Sequence, residues 1–539
     1  MSIIAYIEDL RRSKLTAALI GLFRSIYRVS GMHTHINSMP EEMLLMIFKT
    51  IFLEQERDAT FKLVGRRPET RVENMSVLLT LSHVCRIWRA IILAYPCFWT
   101  RADGHNRDLL DIFVERAGRL PLSLFVTTRT HGLLDLLASH GRRIKRLDIM
   151  ACEGAGDLGD LAFVDGGFFL FGERILPLVA LSIVPYAGRF PANHFPNLTH
   201  LWLEFKVRTH RDTNEAPPFS STFFDFLSNT PKLEFMTLSE VGNSRRGFDQ
   251  EPIDVALPVH LRSLRSLVFI MGDWVTVGMV LSRLSVPDST ILRLLFHVKP
   301  TPDLPPLPLP NVVQSIDHLR LITDPTFMLL IADSPSSGIW LAASVWEDIF
   351  DDEDDVRVNW SGWLASLPTI LPLAQVTTLE ISVGGQGGIL SSLLPKMSGL
   401  VELSVRFDSD EQFGEERDAT LARWLFEALA EDPLICPNLQ VLNIDLGGET
   451  PADLYPYELG LMVMFRSRVA HPIRRLVIQP FADMHTIDEA SYDHVARSFQ
   501  PLKAVVDDVR VPGPGLTAIP SALCDWRHSI VDGYQKYWY

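Results

Sequence analysis

The sequence predicts an α/β protein, in which a small N-terminal helical module is followed by an irregular solenoid, or horseshoe, of strand-and-helix repeats. Three observations favour this prediction. Apolar residues recur at helical spacing within residues 37–100, a short strand-like motif recurs through the rest of the chain, and 47% of the 539 residues are hydrophobic. Because a chain this long rarely forms a single core, we divide it into residues 1–36, 37–100 and 101–539.

Residues 1–36 predict an amphipathic helix or a linker. Its apolar residues alternate with arginine and lysine. Five of the apolar residues fall on one helical face: Leu15, Leu19, Leu22, Phe23 and Ile26. The pattern fits a helix that packs on the protein itself, a basic helix on a membrane surface, or a transit peptide. The acidic residues Glu8 and Asp9 fit a transit peptide poorly.

Residues 37–100 contain two helical patterns separated by a charged segment. The first pattern follows Ser38 and Glu41, which have the spacing of a capping box. Its apolar positions fall on one helical face: Leu44, Ile47, Phe48 and Ile51. The segment 54–75 is rich in charge and contains Gly65 and Pro68, so it predicts an exposed inserted loop.

The second helical pattern begins near Ser76 and ends before Pro96. Helical spacing is kept through its apolar positions: Leu81, Val84, Cys85, Trp88, Ile91 and Ile92. Two helices this short cannot bury so much apolar surface between themselves. Part of it must face a partner or the next domain, unless the module is simply a helical hairpin that packs on the rest of the chain.

At these residues the sequence resembles the F-box. Met39-Pro40 stands where that family has Leu-Pro, and residues 81–89 (LSHVCRIWR) are similar to its Leu-Ser-x-Val-Cys-Arg-x-Trp-Arg stretch. Residues 109–124 resemble the segment that follows the F-box in a large family from mushroom-forming fungi. The chain departs from the family pattern at Met39 and in the inserted loop.

The resemblance implies that the module docks to a Skp-type adaptor and, through it, to the cullin and RING-type subunit of a ubiquitin ligase. Apolar helical faces commonly bind partners in a groove. The resemblance implies these candidate adaptor-binding residues: Pro40, Leu44, Ile47, Phe48, Leu79, Val84, Cys85 and Trp88.

Residues 101–539 repeat the pattern apolar-x-x-Leu-x-apolar, with Met in place of Leu in one copy. The copies begin at residues 144, 178, 198, 233, 264, 291, 316, 376, 400, 439 and 473. Helical segments fit between several copies, as at 221–228 and 421–430, and lead-ins such as residues 195–198 (FPNL) resemble those of degenerate leucine-rich repeats. Because a strand-plus-helix unit buries its apolar face only against neighbours, we expect a leucine-rich-repeat-like solenoid. The alternative is a non-repetitive α/β domain.

The residue between the last two apolar positions of each copy should point to the opposite, concave face of the strands. These residues are Asp148, Ser182, Trp202, Thr237, Val268, Leu295, Arg320, Glu380, Ser404, Asn443 and Val477. Several are large and apolar at positions expected to be wet, which suggests a protein-binding patch. Candidate target-binding residues are His200, Trp202, Phe235, Val268, Leu295 and Arg320. The alternative is that loops or the tail cover the patch.

Two segments interrupt the repeats. Residues 299–310 (KPTPDLPPLPLP) are proline-rich and predict an extended loop. Residues 347–355 (EDIFDDEDD) are acidic, and they fall in the longest gap between copies, from Leu319 to Leu379. We expect that gap to hold one further repeat and an exposed loop.

Composition and motif searches exclude several function classes. The net charge of -15 argues against binding to nucleic-acid phosphates, and five scattered cysteines indicate neither a disulfide framework nor a zinc site. The chain has no apolar run of transmembrane length and no recognisable catalytic motif. We therefore expect a non-enzymatic protein of the cytosol or nucleus that needs no metal or cofactor. Its expected function is that of a substrate receptor for an unknown protein target, and the alternatives are a scaffold without a ubiquitin role or a divergent enzyme.

Overall fold

The computed structural model describes residues 39–59, 73–103, 107–127, 133–150, 163–164, 167–168, 170, 177–186, 190–205, 221–241, 258–298, 307–309, 311–323, 327–345, 360–383, 388–407, 415–432, 434–445, 456–479 and 496–511. These residues fall into two compact units. The first unit holds residues 39–59, 73–103 and 108–120, and the second holds the described residues from Pro121 onward. The second unit also includes Arg107, and the domain bounds 1–36, 37–100 and 101–539 stay predictions. The predicted amphipathic segment 1–36 lies outside the described residues.

The first unit is mainly helical. Its elements are α1 (Glu41–Ala59), α2 (Glu73–Val84), α3 (Arg86–Ala94), a 3-10 turn (Pro96–Trp99), the short strand β1 (Arg101–Asp103) and α4 (Arg107–Arg116). Helix α1 starts where the Pro40 carbonyl accepts hydrogen bonds from the amides of Met43 and Leu44. Two glutamates in its first turn complement the helix dipole.

The core of the first unit is built on aromatic contacts. The ring of Phe48 lies 4.8 Å from that of Trp88 and 6.4 Å from that of Phe98. The indole of Trp99 donates to the Ile92 carbonyl at 2.9 Å and packs edge-on against Phe113, with 4.9 Å between centroids. These contacts hold α1, α3, the 3-10 turn and α4 together.

Two predicted boundaries in this unit are wrong. Residues 54–59 continue α1 and residues 73–75 belong to α2, so both ends of the predicted loop 54–75 are helical. The predicted second helix is two helices, because Cys85 adopts an extended conformation (φ -158°, ψ 172°) between α2 and α3. Cys85 is the N-cap of α3, and its side chain makes no capping hydrogen bond.

The second unit is α/β, as predicted, and it contains one large sheet. The strands of its first half are β2 (Leu122–Thr127), β3 (Ile144–Met150), β6 (Ala180–Tyr186), β7 (His200–Phe205), β8 (Phe235–Ser239), β10 (Ser266–Gly272) and β12 (Ile291–Val298). Those of its second half are β13 (His318–Thr323), β14 (Phe327–Asp333), β15 (Gly338–Val345), β16 (Thr378–Val383), β17 (Glu402–Arg406), β18 (Val441–Asp445), β19 (Arg475–Gln479) and β20 (Asp508–Arg510). Outside this sheet lie the two-stranded pairs β4 (Phe163–Val164) with β5 (Gly167–Phe168) and β9 (Val259–His260) with β11 (Leu284–Ser285).

The strands of the large sheet follow one another in the order β2-β3-β6-β7-β8-β10-β12-β15-β14-β13-β16-β17-β18-β19-β20. Each repeat of the sequence pattern lies on one of these strands, so the predicted strand positions are confirmed. Neighbouring strands pair in parallel, except that β14 is antiparallel to both β13 and β15. The described part of the gap between Leu319 and Leu379, where one further repeat and an exposed loop were predicted, holds β14, β15 and a helix, and β15 pairs in parallel with β12.

Helices connect many of the strands and cover one face of the sheet. They are α5 (Leu133–His140), α6 (Ser221–Ser228), α7 (Trp274–Ser282), α8 (Ser361–Ile370), α9 (Gly388–Leu393), α10 (Glu415–Glu431) and α11 (Pro456–Arg468). Every strand of the large sheet from β2 to β19 has two inward positions that are buried; Leu147 and Ile149 of β3, for example, are continued by Leu181 and Ile183 of β6. The helices predicted at 221–228 and 421–430 are confirmed.

Helix α7 illustrates how closely helix and sheet pack. Its N-cap Asp273 accepts hydrogen bonds from the amide and hydroxyl of Thr276, and its Trp274 ring lies 4.7 Å from that of Phe296 in β12. A Cβ atom at Gly272 would come within 2.6 Å of the Val277 side chain, so this position requires glycine. Burial of such apolar surface is the main favourable contribution to folding.

The two interrupting segments lie largely outside the described residues. Of the proline-rich stretch 299–310, residues 307–309 are described; Leu307 is buried, and Leu307 and Pro308 pack over Gly278 of α7. The acidic run 347–355 lies outside the described residues. Of the helices that the structure describes, none has the length and hydropathy needed to span a membrane.

Candidate functional site

The apolar face of α1 forms the core of the first unit. Leu44, Ile47 and Phe48 are buried, and Phe48 lies against Trp88 and Phe98. These three predicted adaptor-binding residues therefore have no surface to offer a partner in this conformation. The predicted contact face is instead what joins α1 to α3.

The other predicted adaptor-binding residues are more accessible. Pro40 and Val84 are exposed, whereas Cys85 and Trp88 are half-buried. Leu79 lies within α2, and its side chain is not among those described. Trp88 thus serves the core of the unit through Phe48 while part of its surface stays accessible.

Four exposed apolar side chains of the first unit stand out, and of these only Val84 was among the predicted contacts. The exposed fractions are 56% for Met46, 54% for Val84, 47% for Ile87 and 45% for Leu93. Val84 and Ile87 lie on the two sides of the break at Cys85, which turns both side chains toward solvent. The sequence offered no signal for this break, since helical spacing is kept through it.

Hydrogen bonds hold the break in place. The Arg89 guanidinium donates from Nε to the Ser82 carbonyl at 2.9 Å, which ties α3 to the carboxyl end of α2. The Tyr95 hydroxyl bonds to the Glu41 carboxylate, which raises the pKa of Tyr95 and joins the end of α3 to the start of α1. The geometry around Val84 and Ile87 is therefore set by contacts on both sides.

In the second unit, strand register aligns one residue from each strand across the face opposite the helices. We call this line the central row. It runs Phe125, Asp148, Ser182, Trp202, Thr237, Val268, Arg293, Trp340, Ile331, Arg320, Glu380, Ser404, Asn443, Val477 and Arg510, each opposite the next. All the residues predicted to point to this face belong to the row, except Leu295. Leu295 lies two residues further along β12, opposite Ala342.

The middle of this face is less open than predicted. Trp202 is 5% exposed, and His200 and Val268 are also buried, whereas Phe235, Leu295 and Arg320 are half-buried. Strands in a sheet lie about 4.8 Å apart, so side chains in one row cover each other. The expectation that Trp202 and Val268 stand in water is therefore wrong.

His200 and Phe235 form a stacked pair beside the central row. Their ring centroids lie 4.7 Å apart with 20° between the planes. The imidazole Nδ1 of His200 lies 2.7 Å from the Thr199 hydroxyl. Burial, and to a smaller extent the positive charge of Arg146, lowers the pKa of His200 to about 4.

On either side of its middle, the central row carries charged residues that are paired. Arg146 bonds to Asp148 at 3.0 Å, and Arg320 lies 3.4 Å from Glu380. Burial raises the pKa of Glu380, against the opposing effect of Arg320. Further along, the amide of Asn443 donates to Glu402 and to the Ser404 hydroxyl, each at 2.9 Å.

The middle of the row contains one charged residue, Arg293, which the sequence reasoning missed. Its guanidinium lies over the Trp340 ring at 5.2 Å from the centroid. Burial lowers the pKa of Arg293, and within the described part of the chain no carboxylate pairs with it. The signal that could have found it is the spacing of β12: Leu292 and Leu294 are its buried positions, so Arg293 between them faces outward.

The described residues show no group of three or more His, Cys, Asp or Glu side chains arranged to hold a metal ion. The cysteines among them form no disulfide with one another, and burial raises the pKa of Cys436 to about 12. What this part of the chain offers is therefore two surfaces: exposed apolar side chains around Cys85 in the first unit, and the central row in the second.

Comparisons of the chain with family models, with curated proteins and with solved structures found no match.

Proposed function

We propose that this chain is the substrate receptor of a Skp–cullin–F-box type ubiquitin ligase. In this proposal the first unit docks a Skp-type adaptor, which brings the cullin and the RING-type subunit, and the second unit captures a target protein. The observation that carries the proposal is the exposure of Val84 and Ile87 on either side of Cys85, within the stretch that resembles the F-box.

The exposed side of α3 has the composition of a docking surface. Ile87 and Leu93 are exposed together with Arg86 and Arg89, and apolar side chains bordered by arginine are typical of protein interfaces. Since Leu44, Ile47 and Phe48 are buried, the adaptor would contact α2 and α3 more than α1. Scattered exposed apolar residues are common, so the placement of these two beside the F-box-like motif is what gives them weight.

The second unit supports a binding role rather than chemistry. Successive parallel strands, each with the same two buried positions, fit an irregular leucine-rich-repeat-like solenoid, which we propose as its finer architecture. A row of outward side chains across many strands offers an extended surface for a protein. In this mechanism the chain makes and breaks no bonds; it raises the local concentration of target near the ubiquitin-loaded enzyme, in the cytosol or nucleus.

The test is affinity purification of the full chain carrying Ile87→Glu. Placing a charge in an apolar helix-in-groove contact should weaken capture of the Skp-type adaptor and the cullin at least about tenfold. Leu434→Glu, which changes an exposed leucine of the second unit, is the matched control and should capture both normally. Trp88→Ala is unsuitable, because Trp88 packs on Phe48.

Three outcomes are informative. Recovery of adaptor and cullin by wild type and by Leu434→Glu, but not by Ile87→Glu, supports the proposal. Recovery of the adaptor without the cullin favours a scaffold that has no ubiquitin role and rejects the ligase. Absence of both from the wild-type protein, or undiminished capture by Ile87→Glu, rejects docking through this surface.

A further inference from the structure

Arg293 differs from the other arginines on its face of the sheet in having no acidic partner among the residues that the structure describes. Arg146, Arg320 and Arg510 pair with Asp148, Glu380 and Asp508, respectively. Arg293 contacts the Trp340 ring instead, and its Nε is buried without a hydrogen-bond partner. A partly buried guanidinium has lost some of its hydrogen bonds to water, which costs free energy. An incoming anion can offset this cost by accepting hydrogen bonds from the guanidinium.

The nearest described neighbours of Arg293 in the central row carry no charge. Its neighbours in the central row are Val268 and Trp340, followed by Thr237 and Ile331. The row therefore presents one positive charge with apolar side chains on both sides of it, and the paired charges begin only further out. Within the described part of the sheet, Arg293 therefore lies apart from the paired arginines Arg146, Arg320 and Arg510.

We infer that Arg293 is the subsite for a single carboxylate of the target protein, supplied by an aspartate or glutamate side chain that has apolar residues on both sides. The planar guanidinium can bind a carboxylate through two parallel hydrogen bonds. The inference deepens the proposed function, on which it rests for the statement that the ligand is a target protein.

The charge balance favours a carboxylate over a phosphate. One guanidinium neutralises one carboxylate, whereas a phosphate carries a charge of about -1.5 to -2 and is usually held by several basic side chains. The chain itself has a net charge of -15, which would repel the excess negative charge. Because the row is apolar on both sides of Arg293, the acidic residue lies within a segment and not at a chain end.

The experiment uses degenerate short peptides as probes of the purified full-length chain. Each peptide has a central glutamate and mixtures of Leu, Ile, Val, Phe and Met on both sides. Matched sets carry glutamine or phosphoserine at the centre, or glutamate at the carboxyl end. We expect the central-glutamate set to bind at least about tenfold more tightly than the glutamine set, as is typical of a hydrogen bond to a charged group.

The variants locate the effect. Arg293→Gln should bind the glutamate and glutamine sets equally, and Arg293→Lys should keep part of the preference because it keeps the charge without the planar fork. Arg510→Gln changes an exposed arginine of the same row and should behave as wild type. Near-ultraviolet circular dichroism of Arg293→Gln checks that the fold is kept. If this variant does not fold, a reduced preference for glutamate in Arg293→Lys tests the inference instead.

A wild-type chain that shows no preference for central glutamate, or that prefers phosphoserine or a terminal carboxylate, overturns the inference. So does a glutamate preference that survives in Arg293→Gln. Failure of the proposed function gives a different result. A chain that binds glutamate peptides selectively but captures no adaptor supports the subsite at Arg293 and rejects the ligase role.

Discussion

At the scale of single residues, His200 makes the stability of the sheet depend on pH. Its imidazole is buried against Phe235, and burial lowers its pKa to about 4. In the unfolded chain the pKa of histidine is about 6.5. The folded protein therefore favours the neutral ring, whereas the unfolded chain takes up a proton as soon as the pH falls below about 6.5.

We predict that His200 makes the second unit less stable in mild acid. Its contribution is fully present above pH 6.5, is lost as the pH falls from about 6.5 to about 4, and changes no further below that; the loss is on the order of 3 kcal/mol. His200→Gln should remove this part of the pH dependence, as measured by the urea midpoint of the sheet's circular dichroism between pH 7 and pH 4. His260→Gln, at an exposed histidine, is the control. Parallel losses in wild type and His200→Gln would contradict the prediction.

Residue-scale prediction succeeded where the strand motif was regular. The outward positions Trp202, Val268 and Arg320 follow directly from two buried positions in each strand, and register places them in one row. In β12 the motif was matched two residues late, because Ile291 through Phe296 is apolar at almost every position. Leu295 was chosen in place of Arg293 for that reason. Degrees of burial could not be predicted, since they depend on which side chains lie on neighbouring strands.

At the scale of elements, one buried arginine joins two helices. Arg466 of α11 is fully buried, and its guanidinium donates to the carbonyls of Cys436 at 2.8 Å and Ile435 at 3.2 Å. A longer contact of 3.5 Å reaches the Leu429 carbonyl near the end of α10. Cys436 has a positive φ of 49°, so the turn after α10 is held in a conformation that this side chain stabilises.

Replacing Arg466 by Met should loosen α10 and α11 together. The substitution leaves buried carbonyl groups without donors, which should lower the local free energy of opening by about 2–4 kcal/mol. Hydrogen exchange of Glu415–Glu431 and Pro456–Arg468 measures this loss. Arg468→Met, at an exposed position of the same helix, should change it by less than about 0.5 kcal/mol. Equal protection in the two variants would show that Arg466 does not hold the helices together.

The elements that sequence reasoning missed lacked a local signal. Cys85 is not a residue type that commonly caps helices, and its side chain makes no capping hydrogen bond. The apolar spacing of a single helix continues through the break. Strands β14 and β15 lack the repeat motif, because they form an antiparallel hairpin whose turn is closed by Ser334 and Ser337. The pairing of β15 with β12 joins residues that are far apart in the chain, and such contacts leave no periodicity in the sequence.

At the scale of the whole molecule, the chain separates two kinds of surface. The first unit presents apolar side chains at a helix break, and the second presents a row of mixed polar and apolar side chains from many strands. Of the residues that the structure describes, none belongs to both surfaces. A chain that joins two partners benefits from this separation, since either surface can bind without altering the residues of the other.

The separation predicts that the two binding events are independent. Ile87→Glu should abolish adaptor capture and leave the preference for glutamate-centred peptides unchanged, whereas Arg293→Gln should do the reverse, because the surfaces share no side chain. In the double variant the two losses should add to within about 0.5 kcal/mol, as is usual for sites without common partners. In the wild-type protein, titrating the peptides with and without saturating adaptor measures whether adaptor binding changes the peptide affinity. A peptide affinity that changes more than about threefold when the adaptor binds would reveal a coupling free energy between the units, and the chain would then be a switch rather than a passive link.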